Sequence, residues 1–434
     1  MEAHIEPGTL AGTTEAIASK SMAHRLLILS SLADAPTELS CNARSQDIDA
    51  TAACLRSLGA SVGETEGGFS VVPLAKSGGA RESATLDCRE SGSTLRFLVP
   101  VVAALGCGAT LTGTGRLPHR PLEPLLTQLM AHGCTFFQPE LPRVVPLTVG
   151  GRLRPGTFSL PGNVSSQFVT GLLMAAPLVA GKVEVYVEEP VESLGYVHLT
   201  LEALSAFGCD VDAAHDTIDH TGYLHLTMPP TAHLTSPGTA AVEGDWSNAA
   251  FWLVAGALSQ DAVTVSGLDT LSSQADRSIL AVLAKMGARV GRDDGEAGCR
   301  GERLEGCEVD VSAFPDLAAP IAAVAAYADG TTRLANAGRL RIKESNRMET
   351  IAATVIAMGG HARIEGDDLV IVGSPHLAGG RVSAAGDHRI AMMAAVMATR
   401  ADGPTHILGA ECVEKSYPAF FEDLARLGGH VTTI

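Results

Sequence analysis

The feature that most constrains this fold occurs six times: an amphipathic helical stretch, a glycine that ends it, and a short strand. The copies are 53-ACLRSLGASV-62, 127-TQLMAHGCTF-136, 202-EALSAFGCDV-211, 281-AVLAKMGARV-290, 353-ATVIAMGGHA-362 and 422-EDLARLGGHV-431. A glycine closing one helix is ordinary, because it reaches the left-handed backbone region without strain. Six closures, at Gly59, Gly133, Gly208, Gly287, Gly359 and Gly428, lie 69–79 residues apart and imply one repeated α/β unit. Each unit has room for two helices and several strands. The Pro-, Thr- and Gly-rich stretch 229-PPTAHLTSPGTAAVE-243 separates the repeats three and three and reads as a linker. At 434 residues the chain also exceeds one ordinary core, so two large domains are expected.

The charge balance narrows the function. With 48 acidic against 31 basic residues, the formal net charge is −17, which disfavours a nucleic-acid or anionic-membrane partner. Aromatic residues at 4% leave little for base stacking. The nine cysteines show no paired spacing and read as reduced structural thiols of a cytoplasmic protein. The first twenty residues lack a basic segment followed by an apolar one, so no signal peptide is expected. Apolar runs such as 97-FLVPVVAALG-106 are too short to span a bilayer, and a soluble protein is expected.

In so acidic a chain, the cations of 340-LRIKESNRMETI-351 stand out. Asn346 followed by Glu349 resembles a capping box, with Ile351, Val355 and Ile356 as the apolar stripe behind it. Arg347 then opens a helix beside unpaired N–H groups, an environment that favours an anion. Other expected helices begin in the same polar way at 19-SKSMAHR-25, 90-ESGSTLR-96, 162-GNVSSQF-168, 245-DWSNAAF-251 and 387-DHRIAMM-393. Lys20, Arg25, Arg96 and Arg389 sit near first turns, where the helix dipole disfavours a cation unless an anion intervenes. No GxxxxGK[ST] loop or strand-linked GxGxxG is present, so nucleotide cofactors are not implied. The fourteen histidines form no HExxH or other close ligand pair, and no metal is implied.

These stretches, together with HRP (119–121), ESLGY (192–196), FPD (314–316), KESNR (343–347), GDHR (386–389) and EKSYP (414–418), resemble the EPSP synthase family along essentially the whole chain. The resemblance implies two inside-out α/β domains, each of three repeated βαβαββ units, joined by a two-stranded hinge with the active site in the interdomain cleft. One domain would comprise residues 1–19 and 241–434, the other 20–240. The implied reaction moves the enolpyruvyl group of phosphoenolpyruvate to the 5-hydroxyl of shikimate 3-phosphate, without cofactor or metal. Its two small-molecule substrates are the only implied partners, with no nucleic acid or membrane, and a monomer is expected. Carried over by motif, Lys20, Gly92, Arg120, Gln167, Arg347, Arg389 and Lys415 resemble the phosphoenolpyruvate-binding set. Ser21, Arg25, Ser165, Ser166, Gln167, Ser193, Tyr196, Asp316 and Lys343 resemble the shikimate 3-phosphate set. Asp316 resembles the base, and Glu344 with Lys20 the proton relay.

Some residues depart from the family pattern. Glu90, Ser91 and Ser93 stand where Asn, Ala and Thr are usual, and Glu90 would need a partner such as Arg96 or Arg120. Asn346 replaces Asp, at little expected cost to a helix cap. The related transferases acting on UDP-N-acetylglucosamine normally carry a Lys-Asn pair near the start and a cysteine in a glycine-rich loop; here the pair is Lys20-Ser21.

Overall fold

A computed structural model describes residues 1–434 and divides them into two compact units. One unit is Lys20–Val242; the other combines Met1–Ser19 with Glu243–Ile434. The first carries helices α1 (Lys20–Leu32), α2 (Gln46–Leu58), α3 (Gly92–Leu105), α4 (Leu125–Ala131), α5 (Ser166–Ala175) and α6 (Leu194–Ala206). The second carries α7 (Trp246–Leu258), α8 (Ile279–Lys285), α9 (Ala318–Ala325), α10 (Arg347–Ala357), α11 (His388–Ala398) and α12 (Phe420–Arg426).

Six four-stranded sheets share one topology. In one of them Gly156–Pro161 runs parallel to Val183–Glu188, which pairs antiparallel with Thr221–Met228, which pairs antiparallel with the edge strand Asp212–Ile218. In every sheet the edge strand that follows an even-numbered helix begins one to four residues after one of the six marker glycines. Those glycines have φ between +69° and +117°, where a side chain would be strained. At Gly59 a Cβ would also press on the Gly79 carbonyl.

The odd-numbered helices occupy the interiors and the sheets face outward. Every residue of α7, α9 and α11 is buried. Helices apolar on all sides have no solvent face, which is why these sequences lack the amphipathic pattern of their even-numbered neighbours. The result is the inside-out α/β arrangement, three repeats per unit.

Three sheets borrow a strand from a distant part of the chain. Thr239–Ala241 pairs beside Thr37–Ser40. Gly12–Glu15 pairs beside Val263–Ser266. Glu2–Glu6 lies between Thr405–Leu408 and His430–Thr433. The supposed linker 229–243 is therefore partly built into a sheet, and Leu234 within it is buried. Where the chain crosses between units, Ala18 bridges Gly244 and the Ser19 N–H donates to the Glu243 carbonyl at 2.7 Å.

The capping box at residue 346 does not form. Asn346 makes no side-chain cap bond, its buried Oδ1 meets no donor, and Glu349 is exposed. The entrance to α10 is organised instead by Ser345, whose hydroxyl lies 3.0 Å from Thr350 Oγ1 and 2.9 Å from Asp387 Oδ2. Ile351 and Val355 are buried as expected, whereas Ile356 is exposed and Met348 takes its place in the core.

Candidate active site

In the unit Lys20–Val242, three inner helices present polar first turns. Ser91 caps α3 by accepting from the Thr94 N–H at 3.2 Å, and Ser165 caps α5 by accepting from the Gln167 N–H at 3.3 Å. Gln167 is then fixed at both ends of its amide: Oε1 accepts from Arg96 Nη1 at 2.7 Å, and Nε2 donates to Ser93 Oγ at 2.9 Å. Arg96 also donates to the Pro121 carbonyl at 3.0 Å. The Arg120 guanidinium lies directly over Gly92, where any Cβ would overlap it. Ser193 enters α6 with φ +58° and is buried, an unusual conformation for a residue with a side chain.

Arg25 is buried in α1, with its guanidinium held by uncharged acceptors. It donates to Thr200 Oγ1 (2.9 Å), Thr170 Oγ1 (3.2 Å) and the carbonyls of Tyr196 (2.8 Å) and Ser21 (2.6 Å). Burial without a carboxylate partner lowers its pKa to about 10. Lys20, at the start of the same helix, pairs with Asp47 Oδ2 at 2.9 Å. The Glu90 carboxylate packs on Gly115 (φ +58°), leaving no room for a side chain there.

The other unit gathers its charges in one cluster. Arg347 opens α10 with 1% of its side chain exposed and donates to three carboxylates. Nη1 reaches Asp316 Oδ1 at 2.9 Å, Nη2 reaches Glu344 Oε2 at 2.5 Å, and Nε reaches Asp387 Oδ2 at 2.9 Å. Asp387 is fully buried and also caps α11 by accepting from the Arg389 N–H at 3.1 Å. Asp316 receives two further cations: Arg389 Nη2 at 3.0 Å on Oδ2 and Lys343 Nζ at 3.4 Å on Oδ1. Three acids thus meet three cations. Lys415, also buried, lies on the 3₁₀ turn Ala410–Lys415.

The electrostatics follow from these pairings. Burial would raise the Asp316 pKa, but Arg389, Lys343 and Arg347 together outweigh it and hold the carboxyl well below its ordinary range. Burial lowers Lys343 to about 8, against the opposing pull of Asp316. For Arg347, burial is outweighed by Asp387, Glu344 and Asp316, which hold the proton on. Asp316 is therefore an ionised carboxylate, kept weakly basic by three cations that an incoming anion could draw away.

Such a site suits small, multiply charged anions. The family model for EPSP synthase (3-phosphoshikimate 1-carboxyvinyltransferase) matches residues 5–424. A Clostridium kluyveri protein named 3-phosphoshikimate 1-carboxyvinyltransferase is 38% identical over 427 residues, covering 98% of this chain and 97% of its own length. This chain belongs to the EPSP synthase family. A relative of the same name from Halobacterium salinarum is also 38% identical, with 99% of each chain covered. The fold is that of an Acinetobacter baumannii EPSP synthase (TM-score 0.81, 24% identity, 100% of both chains covered). It is shared by the enolpyruvyl transferase NikO from Streptomyces tendae (TM-score 0.77, 19% identity, 99% and 98% covered).

Within this EPSP synthase family member, Asp316, Lys343, Glu344, Arg347 and Arg389 come together in one unit. Ser21, Arg25 and Tyr196 form one contact group in the other, and Ser165 with Gln167 a second. Gly92 and Arg120 make a third. Asp387 and Asp47 were missed as partners of Arg347 and Lys20. Asp387 had a local signal, an acid at a helix start beside Arg389. Asp47 had none, because its partner lies 27 residues away.

Proposed function

We propose that this chain transfers the enolpyruvyl group of phosphoenolpyruvate to the 5-hydroxyl of shikimate 3-phosphate, releasing phosphate. The observation that carries this reading is the pair of acids, Asp316 and Glu344, bound to one buried arginine amid further cations. Addition requires a base for the hydroxyl and an acid for the methylene carbon, with fixed positive charge around phosphate and carboxylate groups.

In this reading Asp316 accepts the 5-hydroxyl proton as the oxygen attacks C2 of phosphoenolpyruvate. Glu344 with Lys20 delivers a proton to the methylene carbon, giving a tetrahedral intermediate. Loss of a proton from the new methyl group and cleavage of the C–O bond to phosphate then yield the enol ether. Arg347, Arg389 and Lys415 with Lys20, Gly92, Arg120 and Gln167 hold phosphoenolpyruvate. Ser21, Arg25, Ser165, Ser166, Gln167, Ser193, Tyr196, Asp316 and Lys343 hold shikimate 3-phosphate. When the phosphoenolpyruvate anions engage Arg347 and Arg389, their grip on Asp316 loosens and its basicity rises at the moment a base is required.

The protein acts as a cytoplasmic monomer in this reading. Its nine cysteines are all unpaired thiols, which suits a reducing compartment. The test is phosphate release with phosphoenolpyruvate and either shikimate 3-phosphate or UDP-N-acetylglucosamine as acceptor. Release is expected with the first alone; turnover with the second would overturn the assignment.

A further inference from the structure

Away from these residues, the outward face of the sheet containing Glu2–Glu6 carries a second cluster of chemistry-bearing side chains. Ala3 and Ile5 point into the core, so Glu2 and His4 share the opposite face. The register sets His4 directly across from His406 on Thr405–Leu408. His4 Nε2 and His406 Nδ1 are 3.2 Å apart, and each lies 3.3 Å from the same oxygen, Glu2 Oε1. The two ring centroids are 4.1 Å apart and the rings are tilted by 60°.

Three donor atoms thus form a nearly equilateral triangle. Hydrogen bonds can satisfy such a triangle only along its edges, one proton at a time. A cation above its centre satisfies all three at once. With metal–ligand bonds of about 2.0–2.1 Å, the corners of a tetrahedron lie about 3.3–3.4 Å apart, and those of an octahedron about 2.8–3.0 Å. The observed edges of 3.2–3.3 Å fit three corners of a tetrahedron. All three side chains keep 29–39% of their surface, leaving the fourth corner to water. Arg381 Nη2 sits 3.7 Å from the other carboxylate oxygen, Oε2, on a side chain 68% exposed, so it leaves Oε1 available.

We propose that Glu2, His4 and His406 form a tetrahedral site for a divalent ion of the Zn²⁺ type, tying the first strand to one made 402 residues later. Two imidazoles and a carboxylate are the donor set such ions favour. An ion that binds only the paired strands stabilises the folded chain by mass action.

The experiment uses the full-length chain without a histidine tag. Adding Co²⁺ should produce the intense visible bands of tetrahedral cobalt with nitrogen and oxygen ligands, and Zn²⁺ should raise the melting temperature. His406→Ala and Glu2→Gln, both on the outer face, should weaken ion binding by at least about tenfold, equivalent to ~1.4 kcal/mol. Arg381→Ala should tighten it a few-fold by removing a like charge. Unchanged affinity in His406→Ala, a thiolate-to-cobalt charge-transfer band, or a pale octahedral spectrum would overturn the site.

Discussion

The two units satisfy their buried cations in opposite ways. In one, Arg347 is surrounded by Asp316, Glu344 and Asp387, and the cluster balances three positive charges with three negative ones. In the other, Arg25 is held only by hydroxyls and carbonyls, and burial lowers its pKa to about 10. Hydrogen bonds to neutral acceptors replace water but do not cancel charge, so the Arg25 side keeps a standing attraction for an anion. The Arg347 side is internally neutral, and an anion must compete with resident carboxylates. The Arg25 half therefore keeps positive charge that no carboxylate cancels. In the Arg347 half, any displaced cation changes the proton affinity of a resident acid.

The largest expected effect tests the neutralised half. Asp316→Asn and Glu344→Gln preserve shape while removing a proton acceptor or donor, and loss of such a group costs about 10²–10⁴-fold in rate. Phosphate release should fall by that order while calorimetry still finds shikimate 3-phosphate binding. Near-normal turnover in either variant would remove that residue from the chemistry. The hydroxyl-rich half should respond in affinity instead. Charge-assisted hydrogen bonds contribute roughly 1.5–3 kcal/mol each, so Ser165→Ala/Ser166→Ala should weaken shikimate 3-phosphate by more than about tenfold. A loss of thermal stability with unaltered affinity would reduce those serines to caps.

The contrast can also be sharpened by pH. Lys343 titrates at about 8 in the folded chain, against about 10.4 when unfolded. Below pH 8 the lysine is charged in both states and the cost of burying it is fully present. That cost is removed as pH rises from about 8 to about 10.4, so this residue's contribution to ligand-free stability improves over that window. Substrate binding runs the other way, because a phosphate favours the charged form. Affinity for shikimate 3-phosphate should fall by up to about tenfold per unit above pH 8, and Lys343→Arg should flatten the profile. Equal slopes in both proteins would place the titration elsewhere. The smallest effect compares helix entrances. Ser91→Ala removes a working cap and should cost about 1 kcal/mol, whereas Asn346→Ala should cost less than about half of that. Thermal melts of the two variants distinguish them.

What could be read in advance was local. A glycine needed for positive φ, an apolar run with no polar face, and a serine before a helix each leave a mark within a few residues. The repeats and inner helices were legible for that reason. The Asn346–Glu349 spacing satisfied the same local rules, yet Ser345, held by Asp387 and Thr350, organises that helix entrance. The pairing of Lys20 with Asp47 and the meeting of Glu2 with His406 depend on which strands and helices become neighbours. No window along the chain contains that information.

The sheet that holds Glu2–Glu6 also sets a timetable for biosynthesis. Residues 20–242 form one uninterrupted unit, and all its strands are present once residue 242 has been added. The strand Glu2–Glu6 must wait for Thr405–Leu408 and His430–Thr433, which are made about 400 residues later. At about 5–20 residues per second, that delay is roughly 20–90 s. Through it, the alternating apolar side of Glu2–Glu6 has no permanent partner. Residues 20–242 can mature on the ribosome, while the unit bearing Arg347 is complete only after His430–Thr433 has been made.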